Sequence, residues 1–487
     1  MDGRRMGTLA AFAALSIATL LILALLATAA LTFLQGDQYR ERFEGLVSEQ
    51  LNAELHLDGS LSLQLLPRPG VIATDLVLKQ NGNDIGHAEQ VRIELSWRSL
   101  LRRQLIVERV HLQAPHLALQ RAQDGSLNLH MRQQDEAGAV DENMASATDV
   151  SVGQLRIEDG HLELTQQSRS GSHSLALEEA ALTLKHFRIT AGDAPLPQRL
   201  AFNGELSAAR LRVNQQAITN LQATLDAGEG QPAVIAVAGT LFDGQLDGEL
   251  TADYTGNTPS LHADFTVSRL ALQTFLRQLV PDLNAAGELD FTAQLSSEPN
   301  SHGGWHTLEG QLTLRGEQLH LHGLDIDAEL ARYQSTQRFN LVDLGALVFA
   351  GPAGIAATKG AGFARLLDRS GGETVIQQLI SRWSISQGIA RAEDVALATE
   401  HNRLVLLGEL DLHQRQFRGS EVAVVDPQGC AIIRQAISGT FAEPEIEAVN
   451  YVKALLGAPL DLLRQGLSLV DIKQPCEPVY QGSIASP

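Results

Sequence analysis

The sequence predicts a mainly β protein: one long antiparallel sheet of many short strands, a few short helices and a single N-terminal membrane helix. Three observations carry this. An uncharged apolar stretch opens the chain, apolar and polar residues then alternate in run after run, and turn dipeptides separate those runs.

Composition narrows the function classes before any element is placed. The 487 residues suggest about three domains at ~150 residues each. Asp plus Glu (57) outnumber Lys plus Arg (37), a formal charge of −20. A chain this acidic is poorly suited to wrapping nucleic acid, where phosphate contacts need clustered cations. With 44% hydrophobic and 19% charged residues, it is not a largely disordered chain. Two cysteines, Cys430 and Cys476, are too few for a disulfide scaffold, a four-cysteine zinc site or an iron–sulfur cluster.

The first element is the apolar stretch. No charge occurs from Met6 to Gly36, and Gly7 to Leu34 is almost wholly apolar. As a helix, residues 7–34 rise ~42 Å at ~1.5 Å each, more than the ~30 Å hydrocarbon core needs. A cleaved signal peptide is the alternative, with Ala27-Thr28-Ala29 as its site, but such apolar regions run only ~7–15 residues. An uncleaved anchor is therefore expected. Arg4 and Arg5 precede it and Asp37 follows it, so the positive-inside rule keeps residues 1–6 cytoplasmic and exports the rest.

Asp37 can cap a short helix with Tyr39, Phe43, Leu46, Val47 and Leu51 at helical spacing. The period then becomes two. Leu61, Leu63 and Leu65 alternate with Ser62 and Gln64, and the pattern recurs at Leu155/Ile157, Leu162/Leu164, Leu175/Leu177 and Leu182/Leu184. It continues at Leu312/Leu314, Leu319/Leu321, Leu324/Ile326 and Leu410/Leu412. Asn81-Gly82, Asp124-Gly125, Asp159-Gly160 and Asp243-Gly244 read as turns. Residues 105–130 and 152–179 share a weak repeat: a strand, a two-residue corner and a second alternating strand, then a Gly/Ser turn and a third strand. Between them, Met131 to Val150 is acidic and aperiodic, a linker or long loop. Helical stripes are expected after Ser268 (Leu272, Phe275, Leu276, Leu279), over Val375, Ile376, Leu379, Ile380 and Trp383, and from Pro459 through Leu460, Leu463, Leu467 and Val470.

The search for chemistry nominates no catalytic, cofactor-binding or metal residue. His320 and His322 share one strand face opposite Leu319 and Leu321, which reads as two solvent-side histidines with no ligand set around them. Ser384 to Gly388 lacks the first glycine of a nucleophile elbow. Leu341 to Phe363 is Gly-rich but fits neither dinucleotide nor phosphate-loop spacing, and reads as a close-packed turn. An enzyme is not expected. What remains is a large one-faced sheet whose apolar side is either covered by a second layer or curled into a trough.

The order of features resembles the AsmA family of bacterial inner-membrane-anchored envelope proteins. The resemblance rests on the N-terminal span, Tyr39-Arg40, Leu66-Pro67-Arg68-Pro69-Gly70, Asp75 to Leu78, and Arg98 to Arg103. It continues with Leu105 to Leu119, Asp124 to Asn128, Asn402 to Leu412 and Ile437 to Pro444. It implies a curved, repeating β-groove related to bridge-like lipid-transfer proteins, which moves phospholipid between inner and outer membrane and supports outer-membrane assembly. The alternative is a non-enzymatic periplasmic scaffold for outer-membrane protein assembly. The implied localisation is the inner membrane, single-pass, with the bulk in the periplasm. Implied partners are phospholipid acyl chains, the membrane itself, and an envelope protein or a second copy, with no nucleic acid and no cofactor. On this layout residues 35–130 hold the helix and first groove unit, 131–150 the linker, 151–340 the central groove and 341–487 a C-terminal β region with amphipathic helices.

Two residue-level expectations follow. Leu61, Leu63, Leu65, Leu312, Leu314, Leu319 and Leu321 lie on the apolar side of their strands and are expected to line a shared acyl-chain groove. Cys430 and Cys476 sit at turns in an exported region, where disulfides persist. They are expected to pair and to fasten Val479 to Ile484 as a final strand along the sheet edge.

Overall fold

In the computed structural model the chain forms two compact units, one of residues 1–241, 247–261 and 299–303, the other of 242–246, 262–298 and 304–487. The structure describes residues 53–64, 66–80, 82–97, 107–121, 150–168, 171–190, 196–214, 216–256, 258–277, 284–298, 305–336, 371–441, 443–447, 450–451 and 476–485. The expected membrane span, the helix after Asp37, the Asp124-Gly125 turn, residues 131–149, the Gly-rich stretch 341–363 and the stripe after Pro459 lie outside these. Among the described residues no helix is long and apolar enough to cross a membrane.

The first unit is built on β1 (Glu54–Leu57), β2 (Leu61–Gln64), β3 (Gly70–Gln80), β4 (Asn83–Leu95), β5 (Val107–Gln113) and β6 (His116–Arg121). It continues through β7 (Val150–Ser168), β8 (Gly171–Ile189), α1 (Leu196–Arg199), β9 (Leu200–Val213), β10 (Gln216–Ala227), β11 (Ala233–Leu241) and most of β12 (Gly244–Asp253). The alternation places every second side chain on one face, as a pleated strand must. Its tightest core gathers Leu57, Ile93, Val110, Leu155 and Phe187.

The expectation of a purely antiparallel sheet is corrected here. β5 and β6 both run parallel to β7, with Val107 opposite Val152 and His116 opposite His161. Parallel neighbours need a long crossover, and residues 122–149 supply the length. The weak repeat thereby becomes spatial: its two copies lie side by side, corner against corner. The Ala114 amide donates to the Glu158 carbonyl and the His161 amide to the Pro115 carbonyl.

Asp159-Gly160 is correspondingly no hairpin turn. It lies inside β7 as a bulge, with Asp159 at a φ of 54°. Asp75 in β3 (φ 51°), Ala114 between β5 and β6 (φ 45°), Glu179 in β8 (φ 50°) and Asn220 in β10 (φ 52°) repeat the irregularity. The registers place them in one row: Asp75 between the Thr74–Gln90 and Leu76–Ala88 pairs, Ala114 between Gln90–Gln113 and His87–His116, Glu179 and Asn220 on either side of Ala209. A bulge bends its strand, so a row of bulges is a crease that curves the sheet. One extra residue also flips the faces. The apolar spacing compensates, stepping by three at Leu177…Ala180, Ala208…Leu211 and Ile218…Leu221, so all six stay in one cluster.

The second unit holds β13 (Ser260–Ala271, entered from the first unit at its first two residues), α2 (Leu272–Arg277), β14 (Asn284–Ala286), β15 (Glu288–Ser297), β16 (Glu309–His322) and α3 (Ile326–Thr336). It continues with β17 (Glu373–Ser386), β18 (Ile389–Ala398), β19 (Arg403–Asp411), β20 (Gln416–Val425), β21 (Ala431–Gly439), β22 (Pro444–Ile446) and β23 (Asn450–Tyr451). From β14 to β23 its strands pair antiparallel.

Four local expectations change. Ser268 belongs to β13 rather than capping a helix; Leu272, Phe275 and Leu276 form the buried stripe of the short α2, and Leu279 lies outside the described residues. The Val375–Trp383 stripe is strand β17: Ile376, Leu379, Ile380 and Trp383 are buried on both faces, so the run loses its alternation and mimics helical spacing. Its β-branched Thr374, Val375, Ile376 and Ile380 favour the strand. Ile326 opens α3, whose first turn Asp325 caps by accepting from the Ala328 amide at 2.8 Å. The β11–β12 turn is Phe242-Asp243, both at positive φ, one residue earlier than expected.

Candidate functional site

The candidate site is the apolar face of the first unit on either side of the crease. One row runs Leu162, Leu177, Leu211, Ile218, Leu241, each side chain opposite the next across β7 to β11. A second runs Ile157, Leu182, Leu206, Ala223, Val237. Five strands at ~4.8 Å spacing make these rows about 19 Å long. Most of their members are only half-buried, and Val213 at the rim is 43% exposed. The reverse face of the same strands is wet. Glu163, Glu205, Ser207 and Arg212 are exposed, and Glu178 pairs with Arg210 at 3.3 Å and Arg212 at 2.9 Å. This face can hold an apolar ligand without breaking any hydrogen bond of the ladder.

The seven expected lining leucines are divided between the two units. Leu61 is half-buried and packs on the N-terminal core of the first unit. Leu63 lies in β2 with its side chain undescribed, and Leu65 lies outside the described residues. The other four are on β16 in the second unit, where Leu314, Leu319 and Leu321 are only 4%, 1% and 1% exposed and Leu312 is half-buried. Leu206, Leu211, Ile218 and Val237 were not among the expected lining residues. Their signal was present as two-residue alternation with a step of three at the crease.

His320 and His322 do share the outer face of β16. His320 Nδ1 lies 2.8 Å from Glu373 Oε1 and His322 Nδ1 3.5 Å from it. The His320 hydrogen bond holds the Glu373 carboxyl below its usual range, opposed by desolvation and helped by the charges of both imidazoles. Among the described residues no group of three or more His, Cys, Asp or Glu is arranged to hold a metal ion. Gln387-Gly388, in the stretch that lacks an elbow, forms a two-residue hairpin turn with both residues at positive φ.

A second built arrangement lies at the C-terminus. Cys430 and Cys476 are joined, with Cα atoms 6.1 Å apart. Residues 476–485 do not form a final strand at the sheet edge, as expected; they cross its face. Pro478 has no amide to give a ladder, and the Val479 and Tyr480 amides converge on one acceptor, the Gly429 carbonyl. Tyr480 and Ile484 bury against Ile380, Ala396, Ala398, Val405, Ala423 and Val425. Beneath them Asp394 accepts from the Tyr480 hydroxyl (2.6 Å), the Ser483 hydroxyl (2.6 Å) and the Ser483 amide (3.0 Å). Arg403 donates to the Ile484 and Asp426 carbonyls and lies over the Tyr480 ring. Burial alone would raise the Asp394 carboxyl; the Ser483 and Tyr480 hydrogen bonds and the Arg382 charge outweigh it and hold the carboxyl below its usual range. Burial and the Asp394 hydrogen bond push the Tyr480 hydroxyl up.

A chain built mainly of long β-strands with few helices defines the class of protein. The family model for the AsmA family matches residues 6–178 and 179–395, so the chain belongs to the AsmA family. No curated protein matches it.

Proposed function

We propose that the protein is a non-enzymatic carrier of phospholipid acyl chains, held in the inner membrane by residues 7–34 with its body in the periplasm, and that it serves outer-membrane assembly. The carrying face is that of β7 to β11. The observation that supports this reading is the unbroken cross-strand row from Leu162 to Leu241, half-exposed on one side and backed by a charged surface on the other. An acyl chain laid along such a row leaves water at a gain of ~0.8 kcal/mol per methylene. The phosphate headgroup stays at the wet rim. Family membership is compatible with the same role.

The test is site-specific photo-crosslinking in cells. Photoreactive residues at 206, 211 and 218 are expected to capture phospholipid, and those at 207, 212 and 222, on the reverse face, are not. Equal labelling of both sets overturns the reading.

A further inference from the structure

The seat under residues 476–485 has features that a static staple does not need. It is fitted to its occupant: a methyl group on Gly429 would meet the Tyr480 carbonyl, and one on Gly482 would meet the Asp394 carboxylate and the Tyr480 hydroxyl. Yet the occupant contributes no strand ladder, and its anchor is polar. Asp394 is 5% exposed and holds the tail by three hydrogen bonds, while the buried Arg403 Nε has no hydrogen-bond partner. A polar lock of this kind opens reversibly, because water replaces the lost partners of the carboxylate and the guanidinium. The covalent fastening is also reachable. Cys430 is buried, but Cys476 is exposed beside exposed Glu477 and Pro478.

We infer that residues 476–485 form a redox-released strap: thiol–disulfide exchange at Cys476 frees the tail and bares the apolar face of β17 to β20, while the sheet beneath stays folded. The proposal is independent of the lipid reading of the first unit. The exchange balances with a dithiol donor. Its thiolate attacks the sulfur of Cys476, the more exposed residue of the pair, forming a mixed disulfide and expelling Cys430 as a thiolate, which takes a proton. The donor's second thiol then displaces Cys476. The strap has gained two electrons and two protons, and the donor leaves as a disulfide. The closed loop spans a sequence separation of 46 residues, so cutting it restores much of the tail's chain freedom.

The experiment uses the full-length chain in detergent, oxidised and then treated with dithiothreitol, with hydrogen exchange followed by mass spectrometry and an environment-sensitive hydrophobic dye. Reduction is expected to speed exchange in 476–485 about tenfold or more and to raise dye binding. Protection in β17 to β21 stays within twofold, and reoxidation reverses both changes. Unchanged exchange in the tail overturns the proposal, because the side-chain contacts then suffice alone. Loss of protection in β17 to β21 together with the tail overturns it too, because the bridge is then part of the core. Asp394→Asn in the oxidised chain is a second arm. It is expected to raise tail exchange less than reduction does, and a rise as large as that of reduction assigns the hold to the lock and rejects the redox strap.

Discussion

Strands β7 to β11 and strands β17 to β21 are both antiparallel runs of five strands, yet they handle their apolar faces in opposite ways. The first set keeps one face half-open and the other charged. The second is covered on both sides: Leu404, Val405, Val422 and Ala423 all have no exposed surface. The difference is written in the residues. Leu175 to Lys185 alternates leucine with charged and small residues, whereas Leu404 to Leu407 and Val422 to Val425 are continuous apolar runs. Continuous runs mark strands buried on both faces, and alternation marks strands with a wet side. On the function proposed above, the uncovered apolar side is the one that carries a ligand, and the covered one holds its unit together.

The sharpest way to break this comparison is to delete the same side chain from each. Leu404→Ala opens a cavity in a region with no slack and is expected to cost ~2–5 kcal/mol, read as lost thermal stability of the second unit. Leu206→Ala removes a half-exposed side chain and is expected to cost clearly less, while reducing lipid capture at neighbouring positions. Equal losses of stability would mean that the first unit's face is covered as tightly as the second's.

Acid sharpens the comparison from the covered side. Asp394 is held below its usual range in the folded state, so its contribution to the strap is fully present above the ordinary aspartate value of about 3.9. It is lost as the pH falls through the lowered one. The groups facing it are the Tyr480 hydroxyl, Ser483 and the Arg382 charge, with Arg403 over the same ring. Cleavage of the tail by an acid-active protease is expected to rise steeply below about pH 4 in the wild-type chain. In Asp394→Asn it is expected to stay level across that range. A parallel rise in both removes Asp394 from the account.

Much of the fold was legible, and what was missed has physical causes. Alternation exposes strands wherever one face is wet, which is why β7 and β8 read clearly. It fails in β17, where both faces are buried, so that Leu379 and Ile380 are buried side by side. Asp159-Gly160 has turn chemistry because a bulge also needs a residue at positive φ, and local sequence cannot separate a bulge from a reversal. The neighbouring parallel copy, paired at His116 and His161, decides it. The candidate face was legible only in part. The leucines of β16 have the same spacing as those of β8 to β10, and only tertiary cover distinguishes Leu319, at 1% exposure, from half-buried Leu211. The pairing of Cys430 with Cys476 followed from compartment and position, but the tail's path across the face depends on Tyr480 finding Asp394, a contact between residues far apart in sequence.

The smallest expected effect tests the wet side of the open strands. Glu178 on β8 pairs with Arg210 and Arg212 on β9, and both arginine side chains are about half exposed. Exposed ion pairs of this kind are worth ~0.2–1 kcal/mol. Glu178→Gln is therefore expected to lower thermal stability only marginally, and by less still at high salt. Its informative readout is lipid capture. Glu178 follows Leu177 directly, so its side chain points to the opposite face of β8, and labelling from positions 206, 211 and 218 is expected to stay unchanged. Should labelling fall severalfold while stability holds, the charged face rather than the leucine face would be the one in contact with lipid headgroups. The assignment of the two sides of β7 to β11 would then have to be reversed.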